Sequence, residues 1–289
     1  MTNIFLKILV LIVLIFFASI FVFPIIFVFT NSFMSEFEIL GRTTHHITPS
    51  NIMHASENIH FVRTTFIPDQ LTFNQYITIF FRQLEFMSAF WNSVFLAIPI
   101  VIGQVFFSSM AAYAFEISAF KHKEKIFVAY IIFMLLPLQV ALVPNFIVAG
   151  WLGISQSRLA VILPAMFNPF GVFLMRQFLR GLPKDYIDAA EVDGASHLRI
   201  IWAVIVPMFK PALAALVILT FIDAWNIVEQ AIVFLPDELL PLSVQLAGMA
   251  HSQLDIIFAA SFFYLIPPVL MFMFWKEHMI EGISLAGIK

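Results

Sequence analysis

Long uncharged runs dominate the chain. Ile8 to Ser35, Phe86 to Phe115 and Ile126 to Ser157 contain no acidic or basic residue. Each exceeds the roughly 20 residues that a helix needs to cross a hydrocarbon core of about 30 Å. Leu159 to Met175 and Ile256 to Trp275, 17 and 20 residues long, are shorter runs of the same kind. A sixth, Val204 to Trp225, is interrupted only by Lys210 near one end and Asp223 near the other. The pattern predicts an all-α polytopic membrane protein with six spans, at about 8–30, 86–117, 126–149, 158–178, 204–226 and 255–275. No internal repeat or low-complexity linker divides the 289 residues, so one membrane domain over 1–289 is expected.

Charges between the runs set the direction of the helices. If the first residues are cytoplasmic, eleven of the 15 Lys and Arg fall on inside segments, leaving Arg42, Arg63, Arg82 and Arg158 outside. Inside segments are the basic ones. Both termini are therefore expected in the cytoplasm, with 31–85 and 227–254 external and 179–207 a cytoplasmic loop. One Lys and a long apolar run, with no small-residue cleavage site, predict a retained first helix. The second external segment contains "FLPDELLPLSVQLAGMA", too apolar for a free loop and too punctuated by proline for a span. It is expected to fold back against the outer face, where protein can satisfy its backbone.

Composition agrees with a lipid solvent: 61% of residues are hydrophobic and 11% charged, against about 25% charged in soluble domains. The 36 Phe are read as lipid-facing or packed between helices. A net charge of −3 argues against nucleic acid as a partner. Cysteine is absent, which removes disulfides, thiol nucleophiles and cysteine metal sites. His45, His46, His54 and His60 share the first external segment, but no carboxylate stands at ligand spacing, so no metal is expected.

Catalytic motifs fail one by one. A phosphate-cradling loop needs GxxxxGK[ST]; in "GISLAGIK", Gly282 and Gly287 have the separation, but Ile288 takes the lysine place and the chain ends at Lys289. HExxH and GxSxG are absent. Polar residues inside spans are costly and so are functional candidates by default. Asn92, Gln139, Asp223, Trp225 and Asn226 are the possible pathway or outer-face set. Ser93, Gln104, Ser108, Ser109 and Asn168 suit interhelical hydrogen bonds. Glu116 suits such a bond or a nearby Lys at the membrane surface. Pro137 and Pro144 predict a kinked or broken third span, inside the bundle where freed backbone groups find partners.

One polar stretch stands apart, "DAAEVDGASHLRIIWAVIVP" at 188–207. Pro183 suits a first helical position, and Asp185 and Asp188 favour the positive end of the dipole. The helix should end near Val192, with Gly194 left-handed and Ser196 capping a second, apolar helix. Pro207 would mark entry into the fifth span. Asp188 and Glu191, three apart on one face beside the thin Ala189 and Ala190, form a knob suited to another protein's groove. A DNA-reading helix–turn–helix does not fit an acidic element tethered between membrane spans.

This element resembles the EAA loop of bacterial binding-protein-dependent ABC importers. That pattern is EAA, three residues, Gly, nine residues, Ile, one residue, Leu-Pro; here it reads Asp188-Ala189-Ala190, Gly194, Val204, Val206 and Pro207. "FIPDQLTFNQYITIF", "NSVFLAIP", "AAYAF", "LLPLQVALVP", "FLMRQFLRGLP", "WN" at 225–226, "LPLS" and the tail "GISLAGIK" resemble the carbohydrate, maltose-type branch in order, covering roughly Pro68 to Lys289. Residues 36–66 look longer than usual for that branch. The resemblance implies a six-span permease with a MetI-like five-helix core in the cytoplasmic membrane. It also implies a second homologous permease, two ATPase subunits that bind ATP and Mg, and an external sugar-binding protein. This chain would bind no cofactor. Asp188, Ala189, Ala190, Glu191, Asp193, Gly194 and Ala195 would couple to the ATPase, and Gly282, Gly287 and Lys289 would lie in a tail facing it. The chain would move a sugar or oligosaccharide by alternating access. The alternatives are a non-sugar solute such as glycerol phosphate, or an ATP-independent channel or membrane enzyme.

Overall fold

Over residues 2–35, 37–39, 67–183, 185–249 and 254–286, those described by the computed structural model, the protein is helices and turns with no strand. In chain order, α1 covers Thr2–Asn31, α2 Asn74–Ile77, α3 Leu84–Glu116, α4 Lys123–Met134, α5 Leu138–Trp151, α6 Arg158–Met166 and α7 Pro169–Leu179. They are followed by α8 Asp185–Val192, α9 His197–Met208, α10 Lys210–Trp225, α11 Glu229–Phe234, α12 Leu242–Gly248 and α13 Leu254–Ala286. Leu6–Asn31, Leu84–Glu116, Arg158–Leu179 and Leu254–Glu277 are each long and apolar enough to cross a bilayer. The number reaches six if the bent pairs α4–α5 and α9–α10 each make one span. Residues 36 and 40–66 with their four histidines, Lys184, Gly287 and Lys289 lie outside the described residues.

Proline and capping chemistry explain the breaks. Pro137 closes α4–α5 into a 102° bend because a prolyl nitrogen cannot donate and its ring displaces the preceding turn. Pro144, expected to act likewise, sits inside α5. The fourth run is divided at Phe167–Asn168, where the Asn168 side chain accepts from the Phe170 N–H at 3.0 Å and Pro169 opens α7. That is the favoured start of a helix. The fifth run breaks at Phe209, not at Pro207, with an angle of 87° between α9 and α10. Pro207 is tolerated because Ile201–Ile205 directly before it is a π-helical turn, whose wider ring accommodates a missing donor. Lys210-Pro211 then begins α10.

The chain packs as two compact units, residues 1–87 with 246–266 and residues 88–245 with 267–289. In the first, phenylalanines interlock: Phe29 with Phe262 at 4.9 Å between centroids, Phe27 with Phe258 at 5.7 Å, and Phe80 with Phe263 at 5.0 Å. The last two are edge-to-face and the first is tilted, and such pairs add to burial. Tyr76 donates to Ser32 Oγ at 2.7 Å, and Gln75 to the Met34 carbonyl. α1 between Leu6 and Phe23 is bare along its whole circumference, as a helix in lipid can be.

In the second unit α7 lies close on α3. A Cβ on Gly171 would fall 2.3 Å from Ser108 Oγ and 2.5 Å from Gln104 Nε2, so any other residue would force those two side chains to shift. The core there joins Ala112 and Tyr113 of α3, Met175 and Leu179 of α7, and Leu213 and Leu216 of α10. Ile187 of α8 and Ile200, Ile201 and Ile205 of α9 enter the same cluster.

Candidate functional site

The α8–α9 element is rooted at its base and bare at its tip. Ile187 is 3% exposed, and Ala190 and Ala195 pack against the core, while Asp188, Ala189, Glu191, Asp193 and Gly194 are exposed. Gly194 has φ +76°, a left-handed conformation that suits glycine. Its N–H bonds the Glu191 carbonyl and the Ala195 N–H bonds the Ala190 carbonyl, both at 3.0 Å. This pair is the Schellman motif, which satisfies the last carbonyls of a helix. Ser196 then caps α9, accepting from the Arg199 N–H at 3.4 Å. α8 begins, among the described residues, at Asp185, so Pro183 stands before the helix. Tyr186, Val192 and Leu198 expose 53%, 87% and 54% of their surface around the acidic tip. The element is fixed in direction and offers a mixed acidic and apolar face.

One polar link ties this element to the helices, and a second joins α3, α4 and α7 to one another. Tyr113 Oη and His197 Nδ1 are 2.8 Å apart, joining the end of α3 to the start of α9. Arg176 of α7, 1% exposed, donates Nε to Glu116 Oε2 at 2.9 Å and Nη2 to Glu124, with its Cζ 3.9 Å from the Phe127 ring centre. Arg180 reaches the same Glu116 oxygen at 3.3 Å. Of the two roles expected for Glu116, the structure shows the interhelical hydrogen bond, made by two arginines, and not a pairing of its carboxylate with Lys. Lys123 instead donates to the Glu116 and Ser118 carbonyls. A planar guanidinium can bridge two carboxylates, which an ammonium does less well. The repeat of Arg176 and Arg180 one turn apart in "FLMRQFLRGLP" was the available signal.

The remaining candidates separate. Asn92 donates to the Glu238 and Leu240 carbonyls at 2.9 and 3.2 Å and accepts from Arg158 at 2.7 Å. Ser93 accepts from the Leu242 N–H at 2.9 Å, so the segment after α10 lies folded on α3. Trp225 is 1% exposed, stacked on Phe221 and set edge-on to Phe90, and is a packing residue. Asn226 bonds the Ile222 carbonyl of its own helix at 2.8 Å. Gln139 donates to the Glu229 carboxylate at 2.9 Å. Asp223 alone of the five opens into a cavity of about 460 Å³. Its walls are the α4–α5 and α6–α7 breaks together with parts of α3, α10 and α11. Among the described residues no group of three His, Asp or Glu could hold a metal ion.

Residues 80–282 match the family model for the binding-protein-dependent transport system inner membrane component. The arabinooligosaccharides transport system permease protein AraQ of Halalkalibacterium halodurans is 32% identical over 228 residues, 78% of this chain and 82% of that protein. The osmoprotective compounds uptake permease protein GgtD of Synechocystis is 33% identical over 208 residues, 70% of each chain. In fold, the chain superposes with a TM-score of 0.76 on a chain of a bacterial ABC transporter involved in the import of the acidic polysaccharide alginate. That likeness covers 96% of this chain and 97% of the other at 22% identity. With several bilayer-length helices and a family match over most of its length, this multi-pass membrane protein belongs to the binding-protein-dependent transport system inner membrane component family.

Proposed function

We propose that the chain is one of two permease subunits in an ATP-driven importer that carries a sugar or oligosaccharide across the cytoplasmic membrane. The observation that carries this reading is the exposed α8–α9 tip, Asp188 to Ala195, set on a base that belongs to the helical core. A rigid acidic knob with bare Tyr186, Val192 and Leu198 needs a protein partner to cover it. An ATPase subunit gripping that knob would move α9, and through it α3 and α10, as one body. Rocking of packed helices about a fixed site is the general form of alternating access. ATP and Mg would be bound by two ATPase partners and no cofactor by this chain. A second, homologous permease would complete the pathway, and both termini would face the cytoplasm with the Gly282 to Lys289 tail beside the ATPase. An external sugar-binding protein would dock on the segment after α10. Similarity to an arabinooligosaccharide permease supports the solute class.

Reconstitution tests it. The chain, co-purified with its second permease and ATPases and supplied with the binding protein, is expected to accumulate labelled arabino-oligosaccharide in vesicles only with ATP. Uptake that persists without the ATPase subunits would contradict the reading. Reporter fusions after Glu85 are expected to read external, and those after Lys123 and Lys289 internal.

A further inference from the structure

We propose that the cavity beside Asp223 is a solute subsite that admits neutral sugars and rejects anionic ones, an inference that rests on the importer reading above. At about 460 Å³ it lies in the range of small-molecule sites, about 300–1,000 Å³. Phe133 and Phe170 supply apolar wall, and Asn145, Thr220, Asp223 and Gln230 supply polar groups. None of these four side chains has a hydrogen-bond or ion-pair partner among the described residues, whereas Gln104 and Asn168 on the same wall are already bonded to their neighbours. Two amides, a hydroxyl and a carboxylate left open toward one space match the alternating donors and acceptors of a sugar's hydroxyls.

Charge decides the class. Asp223 is the one charged residue among those lining the cavity; Lys, Arg and His are missing from its walls. A carboxylate accepts from hydroxyls in bonds stronger than neutral ones. It repels a phosphate or uronate brought beside it, and this chain sets no cation there to offset the repulsion. The subsite therefore reads the absence of negative charge, a property that shared family and fold do not set.

The complete importer in vesicles tests this with two labelled probes taken up together. One is arabinotriose; the other is the same trisaccharide oxidised at its reducing end to the carboxylate. Both meet the same binding protein in the same vesicles, so any change in their uptake ratio on substitution arises in this chain, whatever the amount assembled. Asp223→Asn is expected to lower the neutral-over-anionic ratio about tenfold, the order of one charge-assisted hydrogen bond. Asp223→Glu should keep the wild-type ratio, and Gln230→Glu should raise it. An unmoved ratio in Asp223→Asn, or in Gln230→Glu should the first variant fail to assemble, would overturn the subsite. Wild-type vesicles that take up neither probe with ATP would instead strike down the importer reading.

Discussion

Tyr113 Oη lies 2.8 Å from His197 Nδ1, so the end of a membrane-length helix is fastened to the first residue of α9. The two rings also sit 5.8 Å apart. Motion of the α8–α9 tip therefore reaches α3 through a polar contact as well as through the shared apolar core. Tyr113→Phe keeps the ring and deletes the hydroxyl. It should cost about 1 kcal/mol of local stability and lower the sugar moved per ATP hydrolysed. Tyr113→Phe vesicles with wild-type transport stoichiometry would show that the bond plays no part in coupling.

Arg176 and Arg180 touch the same carboxylate oxygen of Glu116 yet differ in burial, 1% against 46% exposed. Removing the buried one leaves Glu116 facing the protein with its main partner gone. Arg176→Met should destabilise the subunit by roughly 1–3 kcal/mol, the range for a lost charged hydrogen bond, whereas Arg180→Ala should cost under about 1 kcal/mol. Thermal unfolding of the two purified variants gives the comparison directly. Equal losses would mean that the cluster is not organised around Arg176.

Asn92 holds the segment after α10 through two carbonyls and receives Arg158 on its own oxygen. Asn92→Ala would free both carbonyls and the guanidinium, at about 1–3 kcal/mol for groups left unpaired. Faster hydrogen exchange over residues 235–242 is expected, with little change in α8. Unchanged exchange there would mean that Ser93 and apolar packing suffice to hold the segment.

What could be read from the sequence was local. Gly194 and Ser196 were legible because a left-handed cap and a side-chain cap are settled within a few residues. Pro137 was legible for the same reason. Pro207 misled because the π-helical turn that shelters it has no composition of its own. The partners of Asn92 lie 146 and 148 residues away, and Arg176 sits 60 from Glu116. Nothing in spacing reports such pairs; they depend on how the helices pack. Gly171 is silent in sequence too, since its need comes from Ser108 and Gln104 on another helix. In the candidate site the tip was thus visible in advance, while the cavity at Asp223 required three-dimensional placement.

The exposed acidic tip carries the central claim. Within this chain a Cβ on Gly194 meets nothing within 4 Å, so its substitution acts through the left-handed backbone and through whatever covers the tip. A side chain there costs roughly 1–2 kcal/mol. Glu191 is exposed, so Glu191→Lys should leave folding and membrane insertion intact while reversing the charge that the tip presents to the proposed ATPase partner. The most direct measurement records ATPase retention, ATP hydrolysis and sugar uptake together in vesicles carrying Glu191→Lys. The subunit is expected in the membrane at wild-type level, with the ATPase retained weakly or hydrolysing ATP without moving sugar. Wild-type uptake with wild-type retention would contradict the central claim.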